Sequence, residues 1–147
     1  MGLPKPISGL VVNYAFLWDE QKKSGLEDGL KNRPCAIVAA IAPNNSGENL
    51  VYVLPITHSE PRNKRYAVEI PPLVKKHLGL DTERSWIICN ETNEFLWPGF
   101  DLCPTPRRKD SYGVLPPMLF KKVKARFTEC FQRKELKVVN RDAAPRP

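Results

Sequence analysis

Histidine is scarce in this sequence: two residues in 147, His58 and His77. A His-rich metal centre is thereby excluded. Cysteine occurs four times, as Cys35, Cys89, Cys103 and Cys130, but never as a CxxC pair. Zinc ribbons and dithiol redox motifs need that spacing, so neither is expected. Cys35 and Cys89 sit inside apolar, strand-like runs and read as small core residues of a reduced protein. A Gly-rich phosphate loop, an HExxH pair and a GxSxG nucleophile turn are also missing. No apolar run approaches the ~20 residues of a membrane helix. The first ten residues carry one Lys and no sustained apolar stretch, so no secretory signal is expected there. Met1-Gly2 also misses the myristoylation pattern. The expectation is a cytoplasmic protein without membrane attachment.

What is present is ordinary in amount and uneven in placement. The chain is 41% hydrophobic and 27% charged, which suits one globular domain with a real core. Its net charge is +7, and residues 107–134 account for all of it, with nine Lys/Arg against Asp110 and Glu129. A local basic face fits an anionic partner, either nucleic acid or an acidic protein segment, or is only a solvated helix face.

The pass along the chain gives short strands with turns between them. Residues 1–8 are a lead-in. Residues 9–14 (GLVVNY) read as a strand, which Ala15-Phe16-Leu17-Trp18 can extend. Residues 19–33 read as a long polar surface loop. Pro34 then leads into residues 35–41 (CAIVAAI), a buried strand. Residues 43–47 are a dense turn signal, so residues 35–41 and 50–56 are expected to form an antiparallel hairpin. Residues 66–70 form another strand, stopped by Pro71-Pro72. Residues 73–78 form a short helix with Gly79 at its C-cap. Residues 84–90 are a strand, and residues 93–101 a final strand and ordered loop. This spacing predicts a small, mainly β barrel. Residues 103–112 read as a linker. Pro116-Pro117 opens a C-terminal helix over 117–133, with Phe120, Val123, Phe127, Cys130 and Phe131 as one packing stripe. Residues 134–147 are expected to be a flexible tail. The domain boundaries are therefore 9–133.

Three residues stand out as chemistry at strand ends. Arg33 precedes Pro34, which fixes the local backbone, and a guanidinium fork there can hold a phosphate or simply cap a strand. Thr57 follows Pro55-Ile56 and can donate to a phosphate oxygen or cap its own turn. His58 is the one nearby side chain suited to proton exchange near neutral pH. Tyr14, Phe16, Trp18, Lys22, Lys23 and Lys31 are the candidates to give a nucleic-acid partner stacking surfaces and positive charge. Trp86 and Trp97 read as core, and His77 as a surface residue.

The order Gly9-x-Val11-Val12, then Gly29-x-x-x-Arg33-Pro34-x-Ala36-Ile37-Val38, then Val51–Val53 with Pro55-Ile56-Thr57, resembles the PemK/MazF-like growth-inhibitor toxins. Ala67–Ile70, the short helix, Ser85-Trp86-Ile87 and the terminal helix continue that order, so the resemblance spans residues 9–133. It implies a dimeric SH3-like β-barrel with a C-terminal helix. It implies a toxin of a type II toxin–antitoxin system, a metal- and cofactor-independent endoribonuclease that cuts single-stranded RNA at short sequences. It also implies a cognate antitoxin with an acidic tail. The family's catalytic Arg and Thr fall on Arg33 and Thr57. His58 stands where the family usually has Ser, and residues 103–113 form a longer insert than expected.

A metal-free ribonuclease can use the RNA's own 2′-OH as nucleophile. Arg33 would neutralise the developing phosphorane charge, because a guanidinium stays protonated and makes a poor base. Thr57 would donate to the same phosphate, and His58 would act as general acid or base. Two other readings stand beside this one: an RNA- or protein-binding barrel that does not cut, and a gyrase-inhibitor-type toxin.

Overall fold

Alternation decides the architecture. In β1 (Leu10–Ala15), β2 (Asn32–Ile41) and β3 (Leu50–Thr57), successive residues go to two different cores. Val11, Ala36, Val38, Leu54 and Ile56 pack on one face. Leu10, Val12, Tyr14, Cys35, Ile37, Val51 and Val53 pack on the other. Because both faces are covered, these strands read as continuous apolar runs rather than as half-polar ones. The structure, a computed structural model, describes residues 4–26, 30–42 and 48–142.

Among the described residues the fold is mainly β, with nine strands in one connected sheet and three α-helices. The expected β2–β3 pair is present and antiparallel, while its turn, residues 43–47, lies outside the described residues. β4 (Ala67–Glu69), β5 (Trp86–Ile88) and β6 (Glu91–Leu96) follow. β7 (Leu102–Cys103) and β8 (Gly113–Val114) both pair with β1. β3 has three neighbours. It runs against β2 along most of its length, against β6 at Leu50–Val53, and against β5 at Ile56 and Thr57.

The α2 helix (Pro72–Leu78) starts with Pro at its first position and ends on Gly79, whose φ of 70° is the left-handed cap the sequence signalled. The α3 helix (Pro117–Gln132) lays Leu119 and Val123 on the first core, with Phe120 and Phe127 at its margin. Phe131 leaves the predicted stripe and is 66% exposed. Arg126 turns inward, donating to the carbonyls of Lys64, Arg65 and Ala67 at 3.1 Å.

Three expectations are revised. The polar stretch after Trp18 contains a helix, α1 (Asp19–Lys23), because the Trp18 amide donates to Gln21 and the Asp19 amide to Glu91. β2 begins at Asn32, three residues before the apolar run. The expected tail forms β9 (Lys137–Asn140), parallel to β6, with Val139 buried. Arg141, just beyond it, ion-pairs with Asp101 at 3.0 Å and donates to the Ala15 carbonyl at 2.6 Å.

Candidate functional site

The β2–β3 register gives the geometry. Cys35 pairs with Pro55, Ala36 with Leu54 and Ile37 with Val53. Arg33 and Thr57 each lie two residues beyond the Cys35–Pro55 pair, where Arg33 pairs with Tyr14 of β1 and Thr57 with Trp86 of β5. Alternation puts both on the face that carries Cys35 and Val53. Both side chains line one cleft of about 930 Å³, together with Trp18, Lys31, His58 and Glu91.

The second core also positions the rim. Asn93, fully buried on β6, accepts from the Leu17 amide at 2.9 Å and donates to the Leu17 carbonyl at 2.8 Å. Glu91 accepts from the Asp19 amide at 3.0 Å. The chain is thus clamped on both sides of Trp18. Its indole stays half-buried, edge-on to Phe16, with the Arg33 guanidinium 5.3 Å from its ring centroid. Arg33 Nε is buried and has no hydrogen-bond partner among the described residues. A buried donor in that state costs about 1–3 kcal/mol.

His58 is held by carboxylates. Its Nε2 lies 2.6 Å from Asp81 Oδ2 and its Nδ1 3.7 Å from Glu83 Oε2. Asp81 is itself anchored by the buried Lys75, whose Nζ donates to Asp81 Oδ1 at 2.5 Å, to Ser85 Oγ at 2.7 Å and to the Glu83 carbonyl. Partial burial pushes the Asp81 carboxyl up. The Lys75 hydrogen bond and the charges of Lys75 and His58 outweigh that and hold it below its ordinary value. His58, Asp81 and Glu83 are also the one group among the described residues whose ligand atoms lie close enough to share a cation. Lys75 already supplies a positive charge at that point. Thr57 Oγ1 accepts from the Ser59 amide at 3.1 Å, which leaves its hydroxyl proton free to donate.

Tyr14 and Phe16 are corrected as nucleic-acid contacts. They are 0% and 2% exposed, with Tyr14 stacked on Phe95 at 4.7 Å, so no base can reach their faces. Lys22 and Lys23 are exposed on α1 but do not line the cleft, and Lys23 pairs with Asp19 at 3.1 Å. Gly29, part of the motif around Arg33, lies outside the described residues. Trp86 is buried and Trp97 packs at the edge of the second core.

Sequence reasoning missed Glu91, Asp81 and Tyr112, which also line the cleft. Burial pushes the Glu91 carboxyl up against the pull of the Asp19 amide and Lys137. None of the three sits in a motif, and only the fold brings them to Arg33. Cys35 and Cys89 stay inert: burial pushes the Cys35 thiol far up and the Cys89 thiol up to about 12. No protein-family model matches this chain, and no curated protein matches it significantly.

Proposed function

We propose that this chain is a ribonuclease toxin of the PemK/MazF-like kind, on an SH3-like barrel, and that the cleft is where it holds and cuts single-stranded RNA. The observation that supports this most is the placement of Arg33 and Thr57, two residues past one strand pair, on one face and in one cleft. The Arg33 guanidinium, with its unpartnered buried Nε, binds the non-bridging oxygens of the scissile phosphate. Thr57 donates to the same group. Trp18 offers a stacking surface for a flanking base, and Lys31 a charge for its backbone.

The reaction needs no group beyond the RNA and these side chains. The 2′-OH loses its proton to a base and its oxygen attacks phosphorus. The P–O5′ bond breaks, and O5′ takes a proton. The products are a 2′,3′-cyclic phosphate and a 5′-OH. Arg33 stabilises the added negative charge of the phosphorane. His58, held by Asp81, supplies the proton relay, a role worth ~10²–10⁴-fold. The same reading carries a cytoplasmic location, a homodimer, and a cognate antitoxin whose acidic tail covers this cleft.

The non-cutting alternative has its own support. Thr57 and His58 both have partners within the chain, as expected of a structural turn. One assay separates the two. The protein is incubated with a long RNA in EDTA and the 5′-OH ends are mapped, then a 2′-deoxy nucleotide is placed at the mapped position. Cleavage that survives EDTA and stops at the 2′-deoxy position supports the ribonuclease; binding without cleavage supports the alternative.

A further inference from the structure

Beside the cleft lies a second, smaller pocket of about 190 Å³. Lys76, His77, Arg107 and Lys109 line it, with the hydroxyl residues Thr105 and Ser111, and no acidic side chain does. None of the four basic residues takes part in an ion pair among the described residues. The contrast is with Lys75, Arg84 and Arg141, each held by a carboxylate. The volume falls below the ~300 Å³ at which small-molecule sites begin, so it suits one phosphate group better than a whole nucleotide.

The pocket is built by ordered elements. The loop that carries Arg107 closes on itself: the Thr105 amide donates to the Lys109 carbonyl at 2.9 Å, and the Lys109 amide to Thr105 Oγ1 at 3.1 Å. Arg108 takes a left-handed backbone, φ 61°, to complete that turn. The Arg107 guanidinium is thereby brought next to Gly79, where an added Cβ would sit 3.7 Å from its Cζ. Gly79, Pro106 and Tyr112 line both this pocket and the main cleft, so the two spaces meet at those residues.

From this we infer that the Lys76–His77–Arg107–Lys109 pocket is a phosphate subsite for the RNA strand that occupies the cleft. Tyr112 stands at the passage between them as a stacking surface. The inference rests on the ribonuclease reading of the cleft, and it assigns a task to the long 103–113 insert that the family resemblance leaves unexplained. It makes the site longer than one phosphate, so affinity depends on strand length.

The test uses uncleavable 2′-O-methyl RNA pools of three and nine nucleotides, with binding followed by fluorescence anisotropy across a salt series. The proteins are the full chain, Arg33→Ala, and the Arg107→Ala/Lys109→Ala double variant, whose altered side chains are exposed. The expected result has three parts. The nine-mer binds the unmodified protein at least about tenfold tighter than the trimer. The double variant loses about tenfold for the nine-mer alone, and its log–log salt slope falls by about 0.7 per contact removed. Arg33→Ala weakens both lengths. If the double variant keeps both the length advantage and the salt slope while Arg33→Ala still weakens both pools, the subsite is overturned and the cleft reading stands. If Arg33→Ala changes neither pool, the cleft reading fails and this inference fails with it. Inorganic phosphate is titrated in parallel, watching the His77 ring by NMR. A saturable shift at His77 without any length effect in RNA assigns the pocket to free anions and overturns the strand subsite.

Discussion

Arg33 and Thr57 each lie two residues past the Cys35–Pro55 pair, on the same face of the sheet, with the Arg33 guanidinium 5.3 Å from the Trp18 ring centroid. Arg33→Ala should therefore remove a group from the site and leave the fold intact, since its Nε has no hydrogen bond to lose among the described residues. Cleavage is expected to fall by ~10²–10³-fold or more, with an unchanged melting temperature. Arg33→Lys should rescue little, because an ammonium cannot reproduce the planar fork. Mapped cleavage rates on one RNA decide it; full activity in Arg33→Ala would sink the site.

His58 and Glu91 both line the cleft, and the proposed reaction needs one of its titratable side chains to move a proton. His58→Ala is expected to lose ~10²-fold in single-turnover rate and to flatten the pH–rate profile. Glu91→Gln should keep the profile if His58 alone carries the proton. A flat profile in Glu91→Gln with a normal one in His58→Ala would exchange their roles.

Asp81 has a pH consequence for stability with a definite sign. Its carboxyl is held below the ordinary value despite partial burial, so folding favours its ionised form. That stabilisation is complete above the ordinary carboxylate range, ~4, and is lost as pH falls through the lowered folded value. Urea midpoints should drop on acidification below about pH 4, and Asp81→Asn should show a smaller drop. Equal slopes in the two proteins would show that Asp81 contributes nothing.

Thiol reactivity should separate Cys103 from the rest. Cys35, Cys89 and Cys130 are 0–3% exposed, and burial raises all three thiols. Native protein treated with iodoacetamide at pH 8 should carry one adduct, at Cys103, by mass spectrometry. Rapid labelling of Cys35 would contradict the second core.

Arg141 ties the last strand to the body through Asp101 and the Ala15 carbonyl. Arg141→Ala should cost about 2 kcal/mol, less than a fully buried pair because Asp101 is partly exposed. Equilibrium urea unfolding measures it; a change under ~0.5 kcal/mol would make 137–142 dispensable.

The parts of the fold legible from sequence were those with a local signal. The β2–β3 hairpin, α2 with its Gly79 cap and α3 with its leading prolines all announce themselves in a few residues. The β9 strand does not, because Lys137–Asn140 is too short to show a period and its partner, β6, lies more than forty positions away. Tyr14 and Phe16 misled for a related reason. Residues 14–18 are apolar at every position, so no alternation separates a buried ring from an exposed one, and only Trp18 reaches the cleft. Arg33 and Thr57 were legible as motifs, whereas the wall facing them, Asp81, Glu91 and Tyr112, needed the fold to bring it there.

Glu91 stands on β6, but the rest of that wall has a different origin from Arg33 and Thr57. Arg33 and Thr57 stand on core strands, where β3 leaves β2 for β5, and no neighbouring residue can shift without disturbing two packed layers. Asp81, Pro106 and Tyr112 come instead from connecting segments after α2 and after β7. The proposed phosphate contacts therefore stand on core strands, while His58 and the Asp81 that holds it stand on loops. On the ribonuclease reading, replacing residues 103–113 would remake one wall of the cleft and leave Arg33 and Thr57 in place.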